Sequence, residues 1–275
     1  MTEIVADLCN NHNGSIANVK KMIDVCYLGG CDYVKFQKRD IDTLYKPEEL
    51  DQPRQSPWGD AYEDYRRAVE FDFHEYDEID KYCKTRIPWF ASPWDKPSIT
   101  FLSQFNVPYV KIASASLTDI PLLESVSILN IPVILSTGMS SWNMIDKAIS
   151  VLGKHNIYAI LHCIGTYPNK SEELNLRVIP EMKEKYPFCK IGFSNHHPGI
   201  IHMVSAVALG AEIIEFHMTL DRTWYGSDQS ASIEPGGVQK LVKYIRETEL
   251  ALGSKDKYIS SRESKSIERL RWHKL

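Results

Sequence analysis

Short β-rich apolar runs punctuate this chain at fairly regular intervals, and the stretches between them carry helical spacing. The runs are "EIVADL" (3–8), "DYVKFQ" (32–37), "PWFAS" (88–92), "PYVKIAS" (108–114), "PVILST" (132–137), "YAILHC" (158–163), "KIGFS" (190–194) and "EIIEFH" (212–217). They predict eight strands. After the first, Ile16, Val19, Met22, Ile23 and Cys26 share a helical face ahead of the Gly29-Gly30 stop. After Pro198-Gly199, "IIHMVSAVALG" does the same and stops at Gly210. Alternation continues to "GVQKLVKYIRETELALG" (237–253).

Eight strand–helix units with near-uniformly apolar strands predict an α/β fold, a closed TIM (β/α)8 barrel forming a single domain over residues 1–253. An open doubly wound sheet is the alternative. The long gap at 38–87 is expected to hold a loop over the barrel mouth in "YKPEELDQPRQSPWG", then helix in "AYEDYRRAVEFDFHEYDEIDKYCKT", with an extra helix relative to the other units. Residues 254–275 read as a mixed-charge tail.

Composition narrows the function classes. With 275 residues, 43% of them hydrophobic, the chain can bury a large core. A net charge of −4 and a pI near 6.2 give no footprint for nucleic acid or an anionic membrane, so neither is expected as a partner. The six cysteines form no C-x-x-C pair and read as reduced thiols. The first strand starts too near Met1 for a signal peptide, and no apolar run approaches the roughly 20 residues of a membrane span. A cytoplasmic enzyme of small molecules is the expectation.

In a barrel of this kind the residues at the C-terminal strand ends share one mouth. Those ends collect Asp7 and "NNHNG", Lys35 and Gln37, Ser92 and Asp95, Lys111, Ser114 and Ser116, Ser136 and Thr137, His162 and Tyr167, Ser194 and His196, and His217. Lys35 and Lys111 alternate with apolar neighbours and point inward. They form either ion pairs with acids on adjacent strands or, with Ser114, Ser136 and Ser194, a cradle for phosphate or carboxylate. His196 and His217 end strands seven and eight and are either two metal ligands or a hydrogen-bonded pair. Two imidazoles would leave positions open for water and a substrate oxygen. His197 is expected at a helix entry or the surface, and His162 in the core.

The runs "VADLCNNHNG", "DYVKFQ", "WFASPWD", "YVKIAS", "PVILSTGM", "NLRVIPEMKEKYP", "GFSNHHPG", "ALGAEIIEFHMTLDR" and "GSDQSASIEP" also occur together, in order, over nearly the whole chain. In them the chain resembles the sialic acid synthases, the N-acetylneuraminate synthase family of phosphoenolpyruvate-dependent condensing enzymes. The resemblance implies a TIM barrel that joins phosphoenolpyruvate to an N-acyl-hexosamine such as N-acetylmannosamine, giving a nine-carbon 2-keto acid and phosphate. It places Lys35, Ser92, Lys111, Ser114, Ser136 and Ser194 on phosphoenolpyruvate, and Gln37, Tyr167 and Asp228 on the sugar. His196 and His217 fall on the ligands of a divalent metal, usually manganese, with magnesium or cobalt as alternatives. Asp7, Lys35, Lys111 and Ser116 fall at the reacting carbons, and a homodimer is allowed.

Some positions depart from the family pattern. Ser116 stands where many members carry an acid, with Asp119 a candidate to compensate. Asp7 is shorter than the usual Glu, Asn195 replaces an Asp, and Gly165 removes a side chain after "HC". The tail "SSRESKSIERLRWHKL" falls where members lead into a small antifreeze-like domain. Alternative functions are condensation with another aldose or sugar phosphate, or a non-catalytic barrel that binds a ligand and regulates a partner.

Overall fold

A computed structural model describes residues 1–273; Lys274 and Leu275, the end of the expected tail, lie outside the described residues. Eight parallel strands close on themselves: β1 Glu3–Asp7, β2 Tyr33–Lys38, β3 Trp89–Pro93, β4 Val110–Ile112, β5 Val133–Ser136, β6 Ile157–Cys163, β7 Lys190–Asn195 and β8 Ile213–His217. Each pairs with its sequence neighbours, and β1 pairs with β8 to complete the barrel. The expected strands are all present, with ends shifted by at most two residues.

Alternation along each strand sorts the side chains. In β8, Ile214 and Phe216 pack outward against the helices while Glu215 and His217 face the barrel axis, and all five residues are buried. Helix Ile16–Gly29 buries Val19, Met22, Ile23 and Cys26 and ends on Gly30, whose φ of 84° suits the left-handed cap. It packs beside helix Pro235–Leu252, which buries Val238, Leu241, Val242 and Ile245. Burying each of these larger aliphatic side chains stabilises the fold by about 1.5–3 kcal/mol. Gly192 in β7 marks a close approach, because a Cβ there would meet the Ile213 carbonyl oxygen at 2.5 Å. At the bottom of the barrel Glu3 accepts from Lys190 and Tyr158, both at 2.5 Å.

The 38–87 segment differs from expectation. Its first part is not a plain loop: it contains two single-turn helices, Ile41–Leu44 and Pro47–Leu50, and a hairpin, Pro53–Ser56 with Gly59–Ala61. The expected helical stretch forms two helices, Tyr62–Ala68 and Phe73–Cys83, so the unit carries the extra helix expected of it. The break follows from Asp72, which caps the second helix by accepting from the Glu75 amide at 3.0 Å. Just before it, Glu70 turns in to accept from Lys38 at 2.8 Å.

Asp119 is likewise a cap. It accepts from the Leu122 amide at 3.1 Å and starts helix Ile120–Ser127. Asp119→Ala should therefore lower stability by about 1 kcal/mol. Thermal melts should register that loss while kcat stays at the parent value; a collapse in kcat with unchanged melting would instead make Asp119 the substitute acid.

Candidate active site

The register brings the site together. Asp7 at the end of β1 lies opposite Lys35 on one side and His217 on the other. Ser92 lies opposite Gln37, and Ser194 opposite Glu215. A cavity of about 150 Å³ opens among these strand ends, lined by Asp7, Lys35, Gln37, Ser92, Lys111, Ser114, Ser136, Tyr167, Ser194, His196, Glu215 and His217.

Both lysines are paired, so the ion-pair reading of them holds. Lys35 Nζ is 2.5 Å from Asp7 Oδ2 and 3.9 Å from Glu215, and Lys111 reaches across the barrel to the two Glu215 oxygens at 2.8 and 3.0 Å. Ser194 donates to Glu215 at 3.0 Å and so orients that carboxylate. Two acids thus balance two ammoniums in a buried cluster. Burial would raise the Asp7 carboxyl, but Lys35 and His217 hold it down at about 2. Glu215 is also lowered, its burial outweighed by Lys111 and Lys35. Burial, against the pull of Glu215, lowers Lys111.

Pairing does not exhaust the site's donors. Among the described residues the buried hydroxyls of Ser92 and Ser136 find no partner, and each ammonium keeps hydrogens beyond those its carboxylate takes. Ser114 is partly engaged, accepting from the Gly138 amide at 3.0 Å.

The two histidines stand with ring centroids 5.1 Å apart. His196 Nδ1 pairs with the Ile164 carbonyl at 2.8 Å, which turns Nε2 toward the Tyr167 hydroxyl at 2.9 Å. His217 Nδ1 is buried without a partner among the described residues, and Nε2 lies 3.5 Å from Asp7 Oδ2. His217 thus keeps an unclaimed ring nitrogen, while both ring nitrogens of His196 are engaged, so an ion held by this pair would displace the Tyr167 hydroxyl. Cys163 Sγ sits 3.8 Å from His196 Nδ1; burial would raise that thiol, but His196 draws it below its usual value.

Other positions separate. Ser116 is buried in the turn after β4 and, like Asp228, is not among the cavity's lining residues. Gln37 Nε2 is 3.5 Å from Asp7, and its oxygen accepts from Arg39. His162 is a core residue, pairing with the Leu174 carbonyl at 2.7 Å and stacking on Phe193. His197 sits at the helix entry, accepting from the Gly199 amide at 3.0 Å. "NNHNG" is structural: Asn11 donates to Met218 and Ser232, each at 2.8 Å, and His12 stacks on Phe71.

Sequence reasoning missed Glu215, although its place two residues before His217 on an alternating strand puts both on one face. It also missed Arg39, a buried guanidinium over the Trp94 ring with Nε and Nη1 unpartnered. No pattern marks Arg39, because a charge after a strand usually faces solvent.

Comparison with known proteins agrees with the fold. The NeuB family model matches residues 22–257. Human N-acetylneuraminate-9-phosphate synthase is 36% identical over 271 residues, covering 97% of this chain and 76% of that protein. The Campylobacter jejuni N,N'-diacetyllegionaminic acid synthase is 33% identical over 279 residues, covering 98% and 83%. The crystal structure of N-acetylneuraminic acid synthetase from Leptospira borgpetersenii, in complex with citrate, superposes with a TM-score of 0.85. It is 31% identical, with 99% of this chain and 93% of that chain covered. Among the described residues, no helix is long and apolar enough to cross a membrane.

Proposed function

The chain belongs to the NeuB family of condensing synthases, and from that premise we propose that it joins phosphoenolpyruvate to an N-acyl-hexosamine, N-acetylmannosamine or a close relative, to give a nonulosonic acid and phosphate. One observation carries this reading: in the mouth of the barrel the unclaimed hydroxyls of Ser92 and Ser136 sit in one cavity with the Lys35 and Lys111 ammoniums. Such a group of donors suits a small ligand with two anionic ends.

In this reading Lys35, Lys111, Ser92, Ser114 and Ser136 hold the phosphate and carboxylate of the enol, whose mutual repulsion would otherwise oppose binding. Ser194 acts through Glu215, keeping Lys111 aimed at the ligand. Gln37, Tyr167 and, from the rim, Asp228 face the sugar. Ser116, off the cavity, supports the turn that carries Ser114. His196 and His217 would hold a divalent ion, manganese in the family's usual form, which when bound supplies Lewis-acid polarisation of an aldehyde oxygen. Carbon three of the enol attacks the aldehyde carbon, and positive character grows at carbon two. The Asp7 carboxylate faces that charge while water adds and phosphate departs.

Binding tests the anion cradle. Ser136→Ala and Ser92→Ala should each weaken phosphoenolpyruvate binding by about tenfold, the cost of one hydrogen bond to a charged oxygen. Calorimetric titration checks this. Parent-like affinity in both variants would remove the cradle.

A further inference from the structure

We infer that Arg39 is a specificity-determining positioning residue: it locks the Gln37 side-chain amide with its N–H group toward the cavity, so that this wall takes aldoses presenting an acceptor oxygen there. The inference rests on the condensation proposed above. Gln37 lines the cavity, and its main chain is held by β2 and by the Tyr76 hydroxyl, which donates to the Gln37 carbonyl at 3.0 Å. The amide at the end of the side chain could still turn over unless its two sides met unlike partners. They do: Arg39 Nη2 donates to Gln37 Oε1, and Asp7 Oδ2 lies 3.5 Å from Gln37 Nε2. A guanidinium offers only donors and a carboxylate only acceptors, so one orientation alone satisfies both. Nε2 carries two hydrogens, and the contact to Asp7 takes at most one.

Stability does not account for Arg39. The residue is 6% exposed, and among the described residues its buried Nε and Nη1 find no partner. Glu70 accepts from the Arg39 main-chain amide at 3.1 Å and from Lys38 Nζ at 2.8 Å, but among the described residues no carboxylate pairs with the guanidinium. The group lies instead over the Trp94 ring, 4.3 Å from its centroid. The register explains that contact. Gln37 lies opposite Ser92 and Lys38 opposite Pro93, and the Trp94 amide carries the ladder one step further by donating to the Lys38 carbonyl at 3.0 Å. Trp94 lines the same cavity as Gln37. A charge buried without an acid costs the fold stability, and a ring face offsets only part of that. What Arg39 contributes is the fixed orientation of the wall it touches on two sides.

The test uses the full chain with manganese, phosphoenolpyruvate and N-acetylmannosamine or its 6-phosphate, comparing Arg39→Met, Arg39→Lys, Gln37→Ala and the double variant of Arg39→Met with Gln37→Ala. Methionine keeps an apolar stem on Trp94 and removes the unpaired charge, so Arg39→Met should melt at or above the parent. Its KM for the aldose should rise by about tenfold, the effect of one charge-assisted hydrogen bond that no longer orients the amide. Both kcat and the calorimetric affinity for phosphoenolpyruvate should stay at parent values. Arg39→Lys, which keeps a donor, should recover part of the loss. In the Gln37→Ala background Arg39→Met should add little, because the amide through which Arg39 acts is gone. An unchanged aldose KM in Arg39→Met would overturn the inference. So would an undiminished effect in the Gln37→Ala background, which would put Arg39 on the ligand itself. A fall in melting temperature and in phosphoenolpyruvate affinity alongside the KM would make Arg39 structural. A parent that condenses neither aldose would remove the condensation reading, and the inference with it.

Discussion

Glu215→Ala should destabilise the chain by about 3–5 kcal/mol, the usual cost of leaving a buried charge without its partner. Glu215 accepts both Lys111 contacts, at 2.8 and 3.0 Å, and the Ser194 hydroxyl at 3.0 Å, and it lies 3.9 Å from Lys35. Removing it leaves Lys111, itself 2% exposed, as an uncompensated ammonium in the centre of the barrel. In a chain of this size the melting temperature should fall by roughly 10 °C. Adding Lys111→Met should restore part of the loss, because the double variant no longer buries that unpaired charge. The coupling measured by the cycle should be on the order of 1–3 kcal/mol. A Glu215→Ala protein that melts with the parent would mean the cluster is wet and the pair contributes little.

Asp7→Asn should leave phosphoenolpyruvate binding at least as tight as in the parent and lower kcat by about 100–1,000-fold, the range for loss of one group aimed at charge that develops in the transition state. The carboxylate is engaged on one oxygen by the Lys35 ammonium and on the other by the Cys9 amide. A group so held is a poor collector of protons and a good fixed negative charge. Its contribution should therefore appear in kcat and not in KM. Steady-state kinetics separates the two. A rise in KM with kcat unchanged would place Asp7 on the ground state of the ligand instead.

The barrel was legible because strand and helix periods differ so clearly, with eight apolar runs separated by helical faces that end at residues such as Gly30 and Gly210. The strand-end rule then collected Asp7, Lys35, Gln37, Ser92, Lys111, Ser136, Ser194, His196 and His217, and the fold places all of them around one cavity. What escaped is what depends on partners. Whether Lys35 and Lys111 face an incoming anion or an internal acid is a question of distance across the barrel, and Lys111 meets Glu215 four strands away. Asp72 reads as an ordinary surface acid, and Asp119 as a stand-in for the acid missing at Ser116, until the helices they cap are seen. The hairpin at 53–61 was missed because Pro53 and the short polar strands give no alternating apolar signal.

The central claim is the condensation itself. The most direct measurement takes metal-stripped protein, phosphoenolpyruvate, manganese and N-acetylmannosamine in one tube, following phosphate release and the mass of the organic product together. Metal-dependent phosphate release with a stoichiometric nine-carbon keto acid is the predicted result. Phosphoenolpyruvate that binds but releases no phosphate with this sugar, its 6-phosphate or diacetylated analogues would contradict the account and leave a barrel that holds its ligand without reacting it.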